Sequence, residues 1–194
     1  MMNFKEDITK EELNELPLTA FEGEIVVVDT QKKLELAVDV LANEPVIGFD
    51  TETKPSFKSG ITNSVALLQL AIENTAFLFR IPKIKLPETL INILSSQNII
   101  KAGAAIHDDI KSLKHISMFQ HSGFIELQDI VKDYGINSFS LKKMAGIVLG
   151  IRISKSQRLS NWESEHLSEA QLRYAATDAW VSYKIFRTLM EVES

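Results

Sequence analysis

The chain has 194 residues, 45% hydrophobic and 24% charged, with no cysteine and a formal net charge of −5 at pH 7. That length suffices for one domain with its own core, and the missing thiols exclude a disulfide framework and a thiolate zinc site. The negative balance argues against a protein that coats nucleic acid nonspecifically, although a net charge averages over local patches.

Met1 to Glu15 is dense in Lys and Glu with no apolar stretch of the signal-peptide kind, and no later run is long enough to span a bilayer. The expectation is a soluble cytoplasmic protein with no membrane partner. Thr9-Lys10-Glu11-Glu12 reads as a capping box that opens a short helix before Pro17. Residues 1–20 are expected to form an N-terminal extension and 21–194 the domain. Ile25 to Val28 is a β-branched strand, and Asp29 or Thr30 caps a helix bearing Leu34, Ala37, Val38 and Leu41 at helical spacing. Val46-Ile47-Gly48-Phe49 is a buried strand running into Asp50-Thr51-Glu52. Pro55 and Gly60 mark Lys54 to Ser64 as a loop. Val65 to Ile72 and Thr75 to Ile81, split by Glu73-Asn74, extend that strand into a meander.

Beyond Pro87 the rhythm alternates. Pro87 to Leu94 is helical, Ile99 to Gly103 a short buried strand, and His107 to Met118 a helix with Ile110 and Leu113 on one side. Phe124 to Leu127 is a further strand, Asp129 to Tyr134 a helical turn or two, and Leu141 to Leu149 a helix entered at Ser140. Ser168-Glu169-Ala170-Gln171 is a second capping box, opening the last helix. This order implies a single α/β domain, one mixed β-sheet with helices on both faces.

Three acidic features stand in apolar settings. Residues i and i+2 of a strand share a face, so Asp50 and Glu52 project together from the end of a buried strand. An isolated Asp-x-Glu is more often a solvated strand end; a converging, half-buried pair needs a cation between its members. The last helix is apolar on two sides, and Asp178 falls in the row Tyr174, Val181, Ile185, where it requires a partner. Asp108 and Asp109 open a helix; one is expected to cap it and the other, Asp109 by periodicity, to face the site. Between Asp133 and Glu163 there is no acid, while Lys142, Lys143, Arg152, Lys155 and Arg158 all fall there. Such a basic tract suits phosphates. Lys155 and Arg158 lead directly into Ser160-Asn161-Trp162; Lys54, Phe57 and Lys58 are candidates for the opposite rim. No Gly-rich nucleotide fingerprint, Walker lysine, nucleophile elbow or His-Glu-x-x-His is present, and His107, His115, His121 and His166 are scattered.

Asp50-Thr51-Glu52, the Gly103 to Leu113 segment with Asp109, and Tyr174-Ala175-Ala176-Thr177-Asp178 resemble, in order and separation, the three motifs of the DEDD superfamily of 3′–5′ exonucleases, tyrosine-bearing branch. Leu159-Ser160-Asn161-Trp162 and Leu167 to Ala179 are similar to Werner syndrome-type exonuclease domains and, more distantly, to ribonuclease D. The likeness covers about Phe21 to Met190. It implies a ribonuclease H-like fold and catalysis by Asp50, Glu52, Asp109, Tyr174 and Asp178. The four acids would hold two Mg²⁺ or Mn²⁺ ions about 3.5–4 Å apart, and Tyr174 would orient the attacking water. Lys155, Arg158, Ser160, Asn161 and Trp162 would contact a nucleic-acid 3′ end, DNA favoured, releasing 5′-nucleoside monophosphates. A ribonuclease D-like action on RNA 3′ ends, a non-catalytic binding module and an internally cutting nuclease of the same fold stay open.

Overall fold

A computed structural model of the protein describes residues 4–55 and 63–193. Strands β1 (Glu24–Val28), β2 (Val46–Thr53), β3 (Val65–Ala71), β4 (Thr75–Arg80), β5 (Ile100–Gly103) and β6 (Phe124–Glu126) form one sheet in the order β1-β4-β3-β2-β5-β6. β2, β3 and β4 make the expected antiparallel meander, with Asp50 opposite Gln69. β5 and β6 extend it in parallel on one side, and β1 closes the other edge parallel to β4, a pairing that no local pattern announces.

The side-chain period of two sends β2 into two cores. Ile47 and Phe49 pack with residues of α2 (Gln31–Leu41), α4 (Glu88–Ser95) and α5 (Ile106–Ile116), among them Leu34, Leu90 and Leu113. On the opposite face lies α8 (Glu169–Glu193), whose Ala175, Ala176 and Ala179 meet Leu67, Ala71 and Leu78 of the meander. The helix starts in the anticipated box, with Gln171 N–H donating to Ser168 Oγ and Ser168 N–H to Gln171 Oε1. Helices therefore cover both faces of the mixed sheet. No helix among the described residues is long and apolar enough to cross a membrane.

Of the short helices, α3 (Ile81–Ile84) continues β4, while α6 (Leu127–Asp133) and α7 (Leu141–Met144) pack against α8. The single helix expected over Leu141 to Leu149 is instead α7, capped by Ser140, followed by a widened π turn over Ala145–Leu149 that ends at Gly150 with φ +66°. The N-terminal arm lies against this turn. Its α1 (Lys10–Glu15), started by the Thr9/Glu12 box, buries Leu13, and a Cβ on Gly146 would sit 2.6 Å from Leu13 Cδ1. Asn137 N–H donates to Glu6 O, and Lys143 is paired with Asp7 at 2.7 Å.

Helix and sheet approach closely at Gly48. A Cβ there would fall 1.9 Å from Ala179 O and 2.8 Å from Tyr183 N, both backbone atoms of α8 that cannot swing aside. Gly48→Ala is therefore expected to cost about 2–3 kcal/mol, the range of overpacked cores, measured by denaturant unfolding. An unchanged unfolding midpoint would show that the helix can lift off the sheet freely.

Candidate active site

The close approach at Gly48 sets the position of everything one turn further along α8. Asp50 and Glu52 follow Gly48 on the same face of β2, and Asp178 precedes Ala179 on the helix. Ligand-capable oxygens of Asp50, Glu52 and Asp178 all lie within 4.8 Å of one another. Asp178 is only 8% exposed, and its carboxylate accepts a hydrogen bond from the hydroxyl of Tyr174, one turn earlier.

Asp109 stands beside this trio rather than inside it. It approaches from the first turn of α5 and accepts a hydrogen bond from Thr51 Oγ1, the residue between the two strand acids. Neither Asp108 nor Asp109 caps α5, contrary to the expectation. Glu126, at the end of β6, does that work: its carboxylate accepts from the N–H groups of Ala105 and Ile106, each at 2.9 Å, and of Gln128 at 3.0 Å. Glu126 reaches them because β6 pairs with β5 at Gly103, just before the helix, and sequence order gives no sign of that pairing. Ala105 holds a left-handed backbone, φ +61°, at this handover. With the cap filled from outside, Asp109 is released towards the cleft.

Burial raises every acid here, and the charges of neighbouring acids add to it at Asp50, Glu52 and Asp109. Asp50 is pushed well above the carboxylate range by burial first, then by Asp178, Asp109 and Glu52. Burial and the charges of Asp178 and Asp109 push Glu52 up to about 8, with Arg158 opposing. Asp178 rises to about 7 through burial, moderated by Tyr174 and Lys155, and Asp109 to about 6, moderated by Thr51. Tyr174 is pushed up by burial and by Asp178 and Glu52, so at neutral pH it is a hydroxyl donor and not a base. Groups that cannot all ionise alone, made entirely of hard oxygen donors, fit divalent cations such as Mg²⁺ or Mn²⁺.

The cleft around them has a volume of ≈ 430 Å³, and Lys142, Lys155 and Arg158 line it together with Ser154. Three of the five cations of the basic tract thus reach the site. Lys143 is taken by Asp7. Arg152 spends its backbone on the N-terminal arm, accepting from Thr19 N–H at 2.8 Å and donating to Pro17 O at 2.9 Å. Ser160, Asn161 and Trp162, expected as substrate contacts, are not among the residues that line this cleft. Trp162 is fully buried, with its ring 6.0 Å from that of Tyr174, so it backs the tyrosine from within the core. Ser160 donates to Gln157 Oε1 and Asn161 Oδ1 accepts from Glu163 N–H, closing local turns. Lys54 is paired with Glu163 at 3.1 Å; Phe57 and Lys58 lie outside the described residues.

Residues 25–192 match the model of the 3′–5′ exonuclease domain family. The chain belongs to that family. Among its relatives is WRN of Mus musculus, a bifunctional 3′–5′ exonuclease/ATP-dependent helicase, 33% identical over 184 residues. That alignment covers 90% of this chain and 13% of the relative, so the likeness concerns one domain of a much longer protein. The Nibbler EXO domain of Aedes aegypti superposes with a TM-score of 0.80 at 22% identity, covering 89% of this chain and 91% of that one. Escherichia coli RNase D, an exoribonuclease involved in structured RNA processing, does so with a TM-score of 0.79 at 23% identity, covering 87% and 44%. The fold of these exonuclease domains is ribonuclease H-like. Members of the DEDD group use divalent metals, and the carboxylates of this family member form such a donor set.

Each of the four site acids, Asp50, Glu52, Asp109 and Asp178, has a folded-state pKa above its ordinary value of 3.8 or 4.5. The stability these groups contribute is complete below those ordinary values and is lost as pH rises through about 6 to about 8. The metal-free protein should accordingly melt at a lower temperature at pH 8.5 than at pH 5.5. Added Mn²⁺ or Mg²⁺ should raise its Tm more at the higher pH, where it meets ionised ligands, and Asp178→Asn should diminish both effects. Differential scanning fluorimetry across that range checks this; a metal-induced shift independent of pH would contradict it.

Proposed function

We propose that this chain is a divalent-metal-dependent 3′–5′ exonuclease that removes nucleotides one at a time from a nucleic-acid 3′ end, DNA in preference to RNA, releasing 5′-nucleoside monophosphates. The convergence of Asp50, Glu52 and Asp178 from a strand and a distant helix into one oxygen cluster, Asp178 buried and the two strand acids half-buried, carries the reading. The 3′ polarity rests on family membership. The preference for DNA rests on the Werner-type likeness, 33% identical, against 23% for RNase D.

In this reading Asp50, Glu52 and Asp178 would hold one Mg²⁺ or Mn²⁺, and Asp109 would stand near a second, directly or through water. The chemistry two such ions supply when bound is activation of the attacking water and stabilisation of the leaving 3′ oxygen. The chain's own side chains do the rest. Tyr174, kept protonated and fixed on Asp178 by its one hydroxyl hydrogen, offers its oxygen lone pairs as the acceptor that orients the water, with Trp162 holding its ring in place. Lys142, Lys155 and Arg158 meet the phosphates of the incoming strand, which offsets the acidity of the remainder of the molecule. Thr51 steadies Asp109 from the strand side.

A 5′-labelled single strand incubated with Mg²⁺ or Mn²⁺ should shorten progressively from its 3′ end. Asp50→Ala and Asp178→Ala should each lower the rate by about a thousandfold or more while the far-ultraviolet circular dichroism is unchanged, and Tyr174→Phe by about ten- to a hundredfold. Matched DNA and RNA strands run in parallel decide the substrate class. Faster shortening of RNA would favour ribonuclease D-like processing, internal fragments an endonuclease, and an intact strand a binding module.

A further inference from the structure

Tyr174 and Ser154 each border a second recess besides the carboxylate cleft. It has a volume of ≈ 200 Å³, lies between the N-terminal arm and α8, and is otherwise lined by Leu18, Ala20, Arg173 and Thr177 among others. Solitary exposed leucines are common and by themselves mean nothing. Leu18 is different in how it is held. The residue is 63% exposed, yet its backbone forms a parallel bridge with Arg152, fastened by the hydrogen bonds on either side, Thr19 N–H to Arg152 O and Arg152 N–H to Pro17 O. Three residues on, Phe21 N–H donates to the buried Thr177 hydroxyl of α8 at 2.9 Å. The apolar wall is therefore fixed at both ends before anything binds, and a group seated against it gains contact without ordering a loop. It also precedes residue 25, where the family match begins.

Resting on the exonuclease reading above, we propose that Leu18 and Ala20, with the outer side of Tyr174, form a subsite for one unpaired nucleobase of the substrate strand. A strand whose phosphates lie along Lys155 and Arg158 carries flat, apolar-faced bases past this recess. Its size suits a single base and not a base pair. Arg173 and Ser154 give the otherwise apolar recess polar edges for the ring substituents. The arm thereby adds a specificity element that the matched part of the chain does not contain.

The test places a single abasic nucleotide in turn at each position near the 3′ end of a 5′-labelled strand and measures kcat/KM for the wild type, Leu18→Ser and Leu18→Met. At one position the wild type should lose about fourfold, the worth of one buried methylene-sized contact. Leu18→Ser should already be about fourfold slower on the intact strand and lose nothing further at that position, whereas Leu18→Met, which keeps an apolar wall, should reproduce the wild-type profile. Identical abasic profiles in the wild type and Leu18→Ser would overturn the subsite and leave the exonuclease standing. Failure of the wild type to shorten any strand would overturn the exonuclease reading and the subsite with it.

Discussion

The contact on which the site depends is the seating of α8 directly on the backbone of β2 at Gly48. Bringing Asp178 beside Asp50 and Glu52 is unfavourable in itself, since burial disfavours every charge and Asp178 raises both strand acids further. What overcomes that repulsion is packing around the site: an alanine face on the helix, a glycine on the strand, and two apolar layers on either side of the sheet. The protein therefore stores unfavourable electrostatics in a rigid frame, and a divalent cation is the group that relieves them. Sites of this kind trade stability for function.

Around this contact, other elements adjust the individual acids. Glu126 caps α5 and so leaves Asp109 available, while Thr51 turns it towards the strand. Trp162 sits behind Tyr174, and Lys155 and Arg158 approach from the segment that the N-terminal arm braces at Arg152. In a molecule of net charge −5, the segment from α7 to Arg158 places Lys142, Lys155 and Arg158 at the cleft, so the local charge beside the acids differs in sign from that of the whole chain.

Much of this was legible in the linear chain. Strand alternation put Asp50 and Glu52 on one side, both capping boxes formed where their residue pairs stand, and the two-sided apolar pattern of the last helix marked Asp178 as buried. These features are local: they follow from backbone periodicity and from hydrogen bonds between residues three apart. Readings that needed a distant partner fared differently. Asp108 and Asp109 looked like caps because an acid in a first helical turn commonly is one, but Glu126 comes to that turn through β5–β6 pairing. Trp162 looked like a substrate contact because it adjoins Arg158 in sequence, yet one turn of chain separates a cleft cation from a core ring.

By itself the sequence determined which residues are charged in apolar surroundings, which segments are helices or strands, and hence the family to which the domain belongs. Tertiary structure alone decided that β1 lies against β4, that the arm closes onto Arg152, and which carboxylates converge as a trio while the fourth stands beside it. The reason is physical. Period and capping act over a few residues, whereas convergence of like charges is opposed locally and is imposed only by the burial of apolar surface across the whole sheet.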